Sequence, residues 1–218
     1  RRYRGRDFVW WLGVLGLWDA VTPAEGREHV TIAVSGTDGG HTVDYRELAE
    51  RGMTLVGRTE SAANKVLCFA PDLKRNVDNG DANYLSVLDA ADAFITRSGL
   101  DLPEEPEARE IAPDPVCMTD PILLLDLPRA GVTSILWATG FSYDFSWLQI
   151  DAFDGMGKPR HLRGVSSEPG VYFLGLPWLS RRGSSFIWGV WHDAKYLADQ
   201  IAIRRGYMAY ERAKDRTA

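Results

Sequence analysis

Cysteine is nearly absent from this chain: Cys68 and Cys117 are the only two, far apart and with no CxxC pair. That excludes a disulfide framework and a thiolate zinc site, and two reduced thiols suit a cytoplasmic setting. Histidine is scarce as well, and His29, His41, His161 and His192 show no metal-ligand spacing, so no metal is expected. Basic charge is not in excess; a net charge of −5 argues against a nucleic-acid binder, which needs a basic face. No long hydrophobic run exists. The most apolar stretch, Phe8 to Trp18, has eleven residues where about 20 are needed to span a bilayer. A strand–GxGxxG–helix loop is also missing, because Gly36, Gly39 and Gly40 have the wrong spacing and context. No pattern of acid, base or nucleophile stands out, so the catalytic residues are unknown.

What is present reads as ordinary globular protein, long enough at 218 residues for one domain or parts of two. The start, Arg1 to Arg6 before an apolar stretch, mimics a signal peptide, but no small-x-small cleavage site follows and Asp19 interrupts it. Phe8, Trp11, Leu12 and Leu15 share one helical stripe behind Asp7 as N-cap, so an amphipathic core helix is expected. Thr31 to Val34 and Met53 to Arg58 suggest strands, Lys65 to Ala70 a partner strand, and Asp44 to Glu50 a short helix closed by Gly52. Asp72 opens a long helix to Ser98, with Val77, Leu85, Leu88 and Ile95 inward and Gly99 past its end.

Residues 101–121 differ in kind, holding five of the eleven prolines and a cluster of acids, and suit a connector. Beyond them, Ile122 to Leu127, Ser134 to Ala138 and Val171 to Leu174 suggest strands. A last helix carries Phe186, Val190, Ala194, Leu197 and Ile201 on one face. Strands alternating with helices imply an α/β fold.

Two strand candidates end in glycine: Ser134-Ile-Leu-Trp-Ala-Thr-Gly140, and Val171 to Leu174 followed by Gly175. The second feeds a helix expected to open at Ser184 or Ser185. A glycine exit into a helix N-terminus aims backbone N–H groups at an anionic or electron-rich ligand. The same spacing also suits a purely structural strand–loop–helix whose glycines turn the chain.

The motifs WATGF at 137–141 and PGVYFLGLPWLSRRGSSFIWG at 169–189 resemble the C-terminal half of flavin-containing monooxygenase-like proteins. RRYRGRDFVWWLGVLGL at the start resembles the middle of the same family. These are flavoproteins with two dinucleotide-binding domains. The resemblance implies a partial FAD/NAD(P)-binding, Rossmann-like architecture: the end of an NADPH domain over 1–100, a connector at 101–121, and the end of an FAD domain over 122–218. It implies FAD and NADPH as cofactors, with O2 and a small nucleophilic or carbonyl substrate in the full-length protein. The cofactor residues it implies are Gly175, Leu176, Ser184, Ser185 and Phe186 beside the flavin, and Thr139, Gly140 and Phe141 where the two domains meet. Arg1 and Arg2, with Arg4 nearby, fall where the 2′-phosphate of NADPH binds, though a solvated basic turn is an equal reading. Arg181 and Arg182 suit a phosphate, a substrate or a surface acid.

Two departures qualify the resemblance. The family usually carries Gly-His-Asp-Ala where this chain has Trp191-His192-Asp193-Ala194, adding bulk at a tight position. The glycine-rich loops of both dinucleotide domains are missing, and the chain does not start with Met. A fragment of a larger enzyme is therefore expected, binding FAD weakly or not at all by itself. The alternatives are a same-fold reductase that does not oxygenate and a non-catalytic remnant.

Overall fold

The computed structural model describes residues 2–21, 34–35 and 39–215. Arg1 lies outside them, as do Thr31 to Ala33 of the first expected strand. The chain divides into two compact units, one formed by 1–11 with 31–139, the other by 12–30 with 140–218. Helix and sheet are mixed, in agreement with the α/β class. Every strand pairing among the described residues is antiparallel.

In the first unit, β1 (Arg2–Tyr3) and β2 (Arg6–Asp7) form a small hairpin that leads straight into α1 (Phe8–Val14). Asp7 accepts a hydrogen bond from the Val9 N–H at 2.8 Å, so the expected N-cap residue does hold the first turn. Trp11 is fully buried, and its indole N–H donates to the Tyr3 carbonyl at 2.9 Å. Burying an aromatic side chain of this size contributes about 2–3 kcal/mol. Next come a short ladder, β3 (Val34–Ser35) with β4 (His41–Thr42), and helix α2 (Tyr45–Glu50), capped by the Asp44 carboxylate on Arg46 N–H.

A three-stranded sheet follows, with β5 (Thr59–Ala63), β6 (Val66–Phe69) and β7 (Leu124–Asp126) in that order. Strand β5 starts at Thr59, where the sequence suggests Met53 to Arg58. Asn64 and Lys65, both at positive φ, make the two-residue turn that fixes the β5–β6 register. The 53–58 stretch is held otherwise: Arg58 N–H donates to the Asp72 carboxylate at 3.0 Å, and Gly57 passes the Ala70 carbonyl so closely that a Cβ would lie 2.0 Å from it.

Helix α3 (Leu73–Ser98) runs the expected length and ends at Gly99 in the left-handed conformation. It buries Val87, Leu88 and Ala91, while Val77, Leu85 and Ile95 are half-buried. The proline-rich segment 101–121 lies within this unit and packs. Arg109 pairs with Asp89 and Asp92, and Met118 in α4 (Val116–Thr119) is buried against Leu55 and Leu73.

In the second unit, Leu17–Asp19 is a single 3-10 turn, and β8 (His161–Leu162) pairs with β9 (Val165–Ser166). Helix α5 (Trp191–Asp215) closes the chain. Its buried stripe reaches Leu197, whereas Ile201 is exposed, because the turn at 182–185 and Gly164 meet only its first two turns. Ser134 to Ala138 carries no strand and is exposed throughout. Among the described residues, no helix is long and apolar enough to cross a membrane.

Candidate functional site

Gly170 and Gly175 bound the Val171–Leu174 stretch, both at positive φ, so the chain turns away after four residues. In place of the expected strand there is one bridge, Tyr172 to Val165, and a hydrogen bond from Phe173 N–H to the Gly164 carbonyl at 2.7 Å. Phe173 is buried among the rings of Phe145, Phe153 and His161. Among the described residues, none beyond its chain neighbours comes within 4 Å of where a Cβ on Gly175 would stand, so this glycine answers to its φ of 78° rather than to crowding. Leu176, half-buried, starts a turn closed by Leu179 N–H at 3.3 Å.

The expected helix start at Ser184 or Ser185 is instead a 3-10 turn, Arg182–Ser185, and α5 begins at Trp191. The cause is a backbone crossing: a Cβ on Gly189 would lie 2.2 Å from the Gly183 carbonyl oxygen. Ser184 is fully buried, and its hydroxyl accepts from the N–H groups of Ser180 and Arg181, each at 3.1 Å. The backbone N–H groups of Ser184 and Phe186 are themselves satisfied, by the carbonyls of Arg181 and Gly183. Ser185 is exposed.

Phe186 stacks on Trp188 at 5.4 Å and meets Trp18 at 5.2 Å, while the Arg182 guanidinium lies 5.4 Å over the Trp18 ring. Burial pushes Arg182 below its ordinary pKa. The outer sides of Phe186, Ile187, Trp188 and Trp191 are open to solvent. Nothing in spacing could have joined Trp18 to residues 186–188; only the fold does.

Arg181 is taken by an acid, Asp19, at 3.0 Å, and His192 lies 3.7 Å from the same carboxylate while stacking on Trp191. Asp193 points elsewhere, fully buried, with Arg163 Nε 3.6 Å from one of its oxygens. Thr139 is the last residue of the first unit, and Gly140 opens the second segment of the other. Thr139, Gly140 and Phe141 are all exposed, with open space around Gly140 at φ 83°. Arg2 is exposed, whereas Arg4 is held by Asp92 and Glu104, both at 2.8 Å.

Buried side-chain polar atoms without a hydrogen-bond partner are concentrated here. Among the described residues they belong to Arg163, Ser180, Arg181, Arg182 and Asp193. Native interiors leave few such atoms.

No family model matches the chain, and no solved structure does. It is similar to curated proteins over part of its length. An uncharacterized oxidoreductase CzcO-like of Geobacillus kaustophilus is 52% identical over 83 residues, 38% of this chain and 24% of that protein. The uncharacterized oxidoreductases CzcO of Bacillus velezensis and Bacillus subtilis are 46% and 42% identical over 81 residues, 37% of this chain and again 24% of each relative. The likeness is to oxidoreductases. The matched stretch spans about a quarter of the length of these relatives.

Proposed function

We propose that this chain is part of a flavin-dependent oxidoreductase, with FAD as its prosthetic group and NADPH as the electron donor. The observation that carries the reading is the similarity to oxidoreductases, at 42–52% identity over 81–83 residues. The residues of the second unit fit such a group. An open glycine turn at Gly175 lets backbone come close to a flat ring, and the Trp18–Phe186–Trp188 cluster offers half-exposed aromatic faces.

When bound, FAD would accept hydride from NADPH and pass electrons to O2 for oxygenation of a small nucleophilic or carbonyl substrate. The chain's own part is to bind, orient and keep water out. Gly175 and Leu176 would approach the group, Ser184 locks the 180–185 turn from within, and Phe186 would cover it. Thr139, Gly140 and Phe141 would act as the joint between cofactor domains, and Arg1 and Arg2 would meet the 2′-phosphate of NADPH. A reductase that does not oxygenate makes the same demands on these residues.

The test is anaerobic mixing of the FAD-loaded full-length protein with NADPH, following the flavin absorbance. Bleaching is expected, and Gly175→Val should weaken FAD binding at least tenfold. No bleaching would end the reading. Oxygen uptake without oxygenated product would select the reductase.

A further inference from the structure

Two arginines occupy the same place in two hairpins. Arg4 and Gly5 turn β1 into β2, with φ 49° and 71°, and Arg163 and Gly164 turn β8 into β9, with φ 49° and 84°. A residue with a side chain at positive φ carries strain, and asparagine or glycine would carry less. Each arginine also lies over a tyrosine ring, Arg4 at 5.6 Å from Tyr3 and Arg163 at 4.2 Å from Tyr196.

Arg4 accounts for its place, since Asp92 and Glu104 hold its guanidinium and its side chain is only 13% exposed. Arg163 does not. Its Nε is buried without a hydrogen bond, 3.6 Å from fully buried Asp193, yet its side chain is 38% exposed. The buried Nε and the stacked Cζ leave the two terminal nitrogens as the outward polar edge. Position 164 admits only glycine, because a Cβ there would lie 2.4 Å from the Phe173 carbonyl oxygen. A strained turn, a ring and a buried countercharge thus fix one guanidinium with its fork turned outward.

Tyr196 also forms one wall of a neighbouring pocket of about 440 Å³, whose lining includes Leu162 and Val165, holds no carboxylate and does not include Arg163. Arg160 is compensated by Asp151 at 2.5 Å. His161 Nδ1 accepts from Gly164 N–H at 3.3 Å, so its ring proton lies on Nε2 as a donor.

We propose that Arg163, fixed between Asp193 and Tyr196 on the hairpin–helix face, binds an oxyanion of the phosphate class. The planar fork pairs two of its oxygens at once, a geometry that lysine cannot reproduce. The site stands independently of the flavin reading.

The test is calorimetric titration of the 218-residue chain with sodium pyrophosphate at fixed ionic strength, with acetate alongside. Saturable pyrophosphate binding is expected, tighter than acetate. It should weaken at least about tenfold in Arg163→Gln and in Arg163→Lys. The lysine variant keeps a cation beside Asp193, so it tests the fork if Arg163→Gln does not fold. Arg75→Gln, on exposed surface of the first unit, should bind as the parent does. The proposal falls if the parent chain gives no saturable signal, if acetate binds equally well, or if Arg163→Lys binds unchanged.

Discussion

Arg46 in the first unit and Asp193 in the second are both buried charges, and they are treated in opposite ways. Arg46 meets Asp81 at 2.7 Å and Asp114 at 2.9 Å, with Asp78 at 3.8 Å, and Lys74 ties Asp78 and Asp114 together from outside. Burial works against the Arg46 charge, but its hydrogen bonds to Asp81 and Asp114 outweigh that and raise its pKa. Among the described residues, Asp193 has one arginine beyond hydrogen-bond reach and no hydrogen bond to its carboxylate. A buried charge contributes to stability only when its hydrogen bonds are made. By that rule the first unit carries its electrostatics as a fastening. The second carries several buried polar atoms that make no hydrogen bond among the described residues.

The largest expected effect breaks the fastening. Arg46→Ala leaves Asp81 without its cation, and Asp114 with Lys74 alone, under the α2–α3 packing. The carboxylates are a quarter exposed, at 27% and 25%, so the loss should be about 3 kcal/mol, at the lower end for a broken buried pair. Urea unfolding followed by hydrogen exchange should show α3 opening at lower denaturant and α5 little changed. Equal opening of both helices would mean that the two units do not carry separate electrostatics.

A pair of variants sharpens the comparison. Asp81→Asn removes a charge that is hydrogen-bonded, and should cost about 1–2 kcal/mol. Asp193→Asn removes one that is not, and should fall within about 0.5 kcal/mol of the parent or on its stable side. A larger loss for Asp193→Asn than for Asp81→Asn in the same urea titration would overturn the contrast.

How much of this the sequence shows depends on how local the cause is. Helix α3 could be read to within a residue at each end, since Asp72, Gly99 and the apolar period are local signals. Helix α2, read as 44–50 and found at Tyr45–Glu50, and the β6 strand were legible for the same reason. The start of α5 was not. Ser184 has the composition of a helix cap, but the contact between Gly183 and Gly189 decides the matter, and that crossing is invisible in a pattern of residue types. Val171 to Leu174 has strand residues but no continuous partner, because pairing is a property of two segments. The proline-rich 101–121 stretch reads as a connector, yet Arg109, Asp114 and Met118 find partners on α2, α3 and the 53–58 loop, contacts that composition cannot forecast. At the candidate site the glycines and serines could be named in advance. The Trp18 ring, Arg163 and Asp193 could not be assembled from spacing, since they come from three distant parts of the chain.

The smallest effect separates the two units by pH. Burial pushes the His161 imidazole below its ordinary value, and Nδ1 already accepts from Gly164 N–H. The unfolded chain then binds this proton more readily than the folded one. Stability from His161 is therefore complete above about pH 6.5 and declines as pH falls through that value toward the lower folded one. In the first unit, hydrogen bonds from Lys74 and Arg46 hold the Asp114 carboxyl below its ordinary value. That contribution is complete above about pH 4 and is lost only below it. Between pH 6.5 and 5 the β8–β9 hairpin should lose protection while α3 does not, with water limiting the size of the change at the partly exposed imidazole. Hydrogen exchange, corrected for its intrinsic pH dependence, reads both at once. His161→Gln should flatten the hairpin's slope, and a slope that persists in this variant would place its cause in another group.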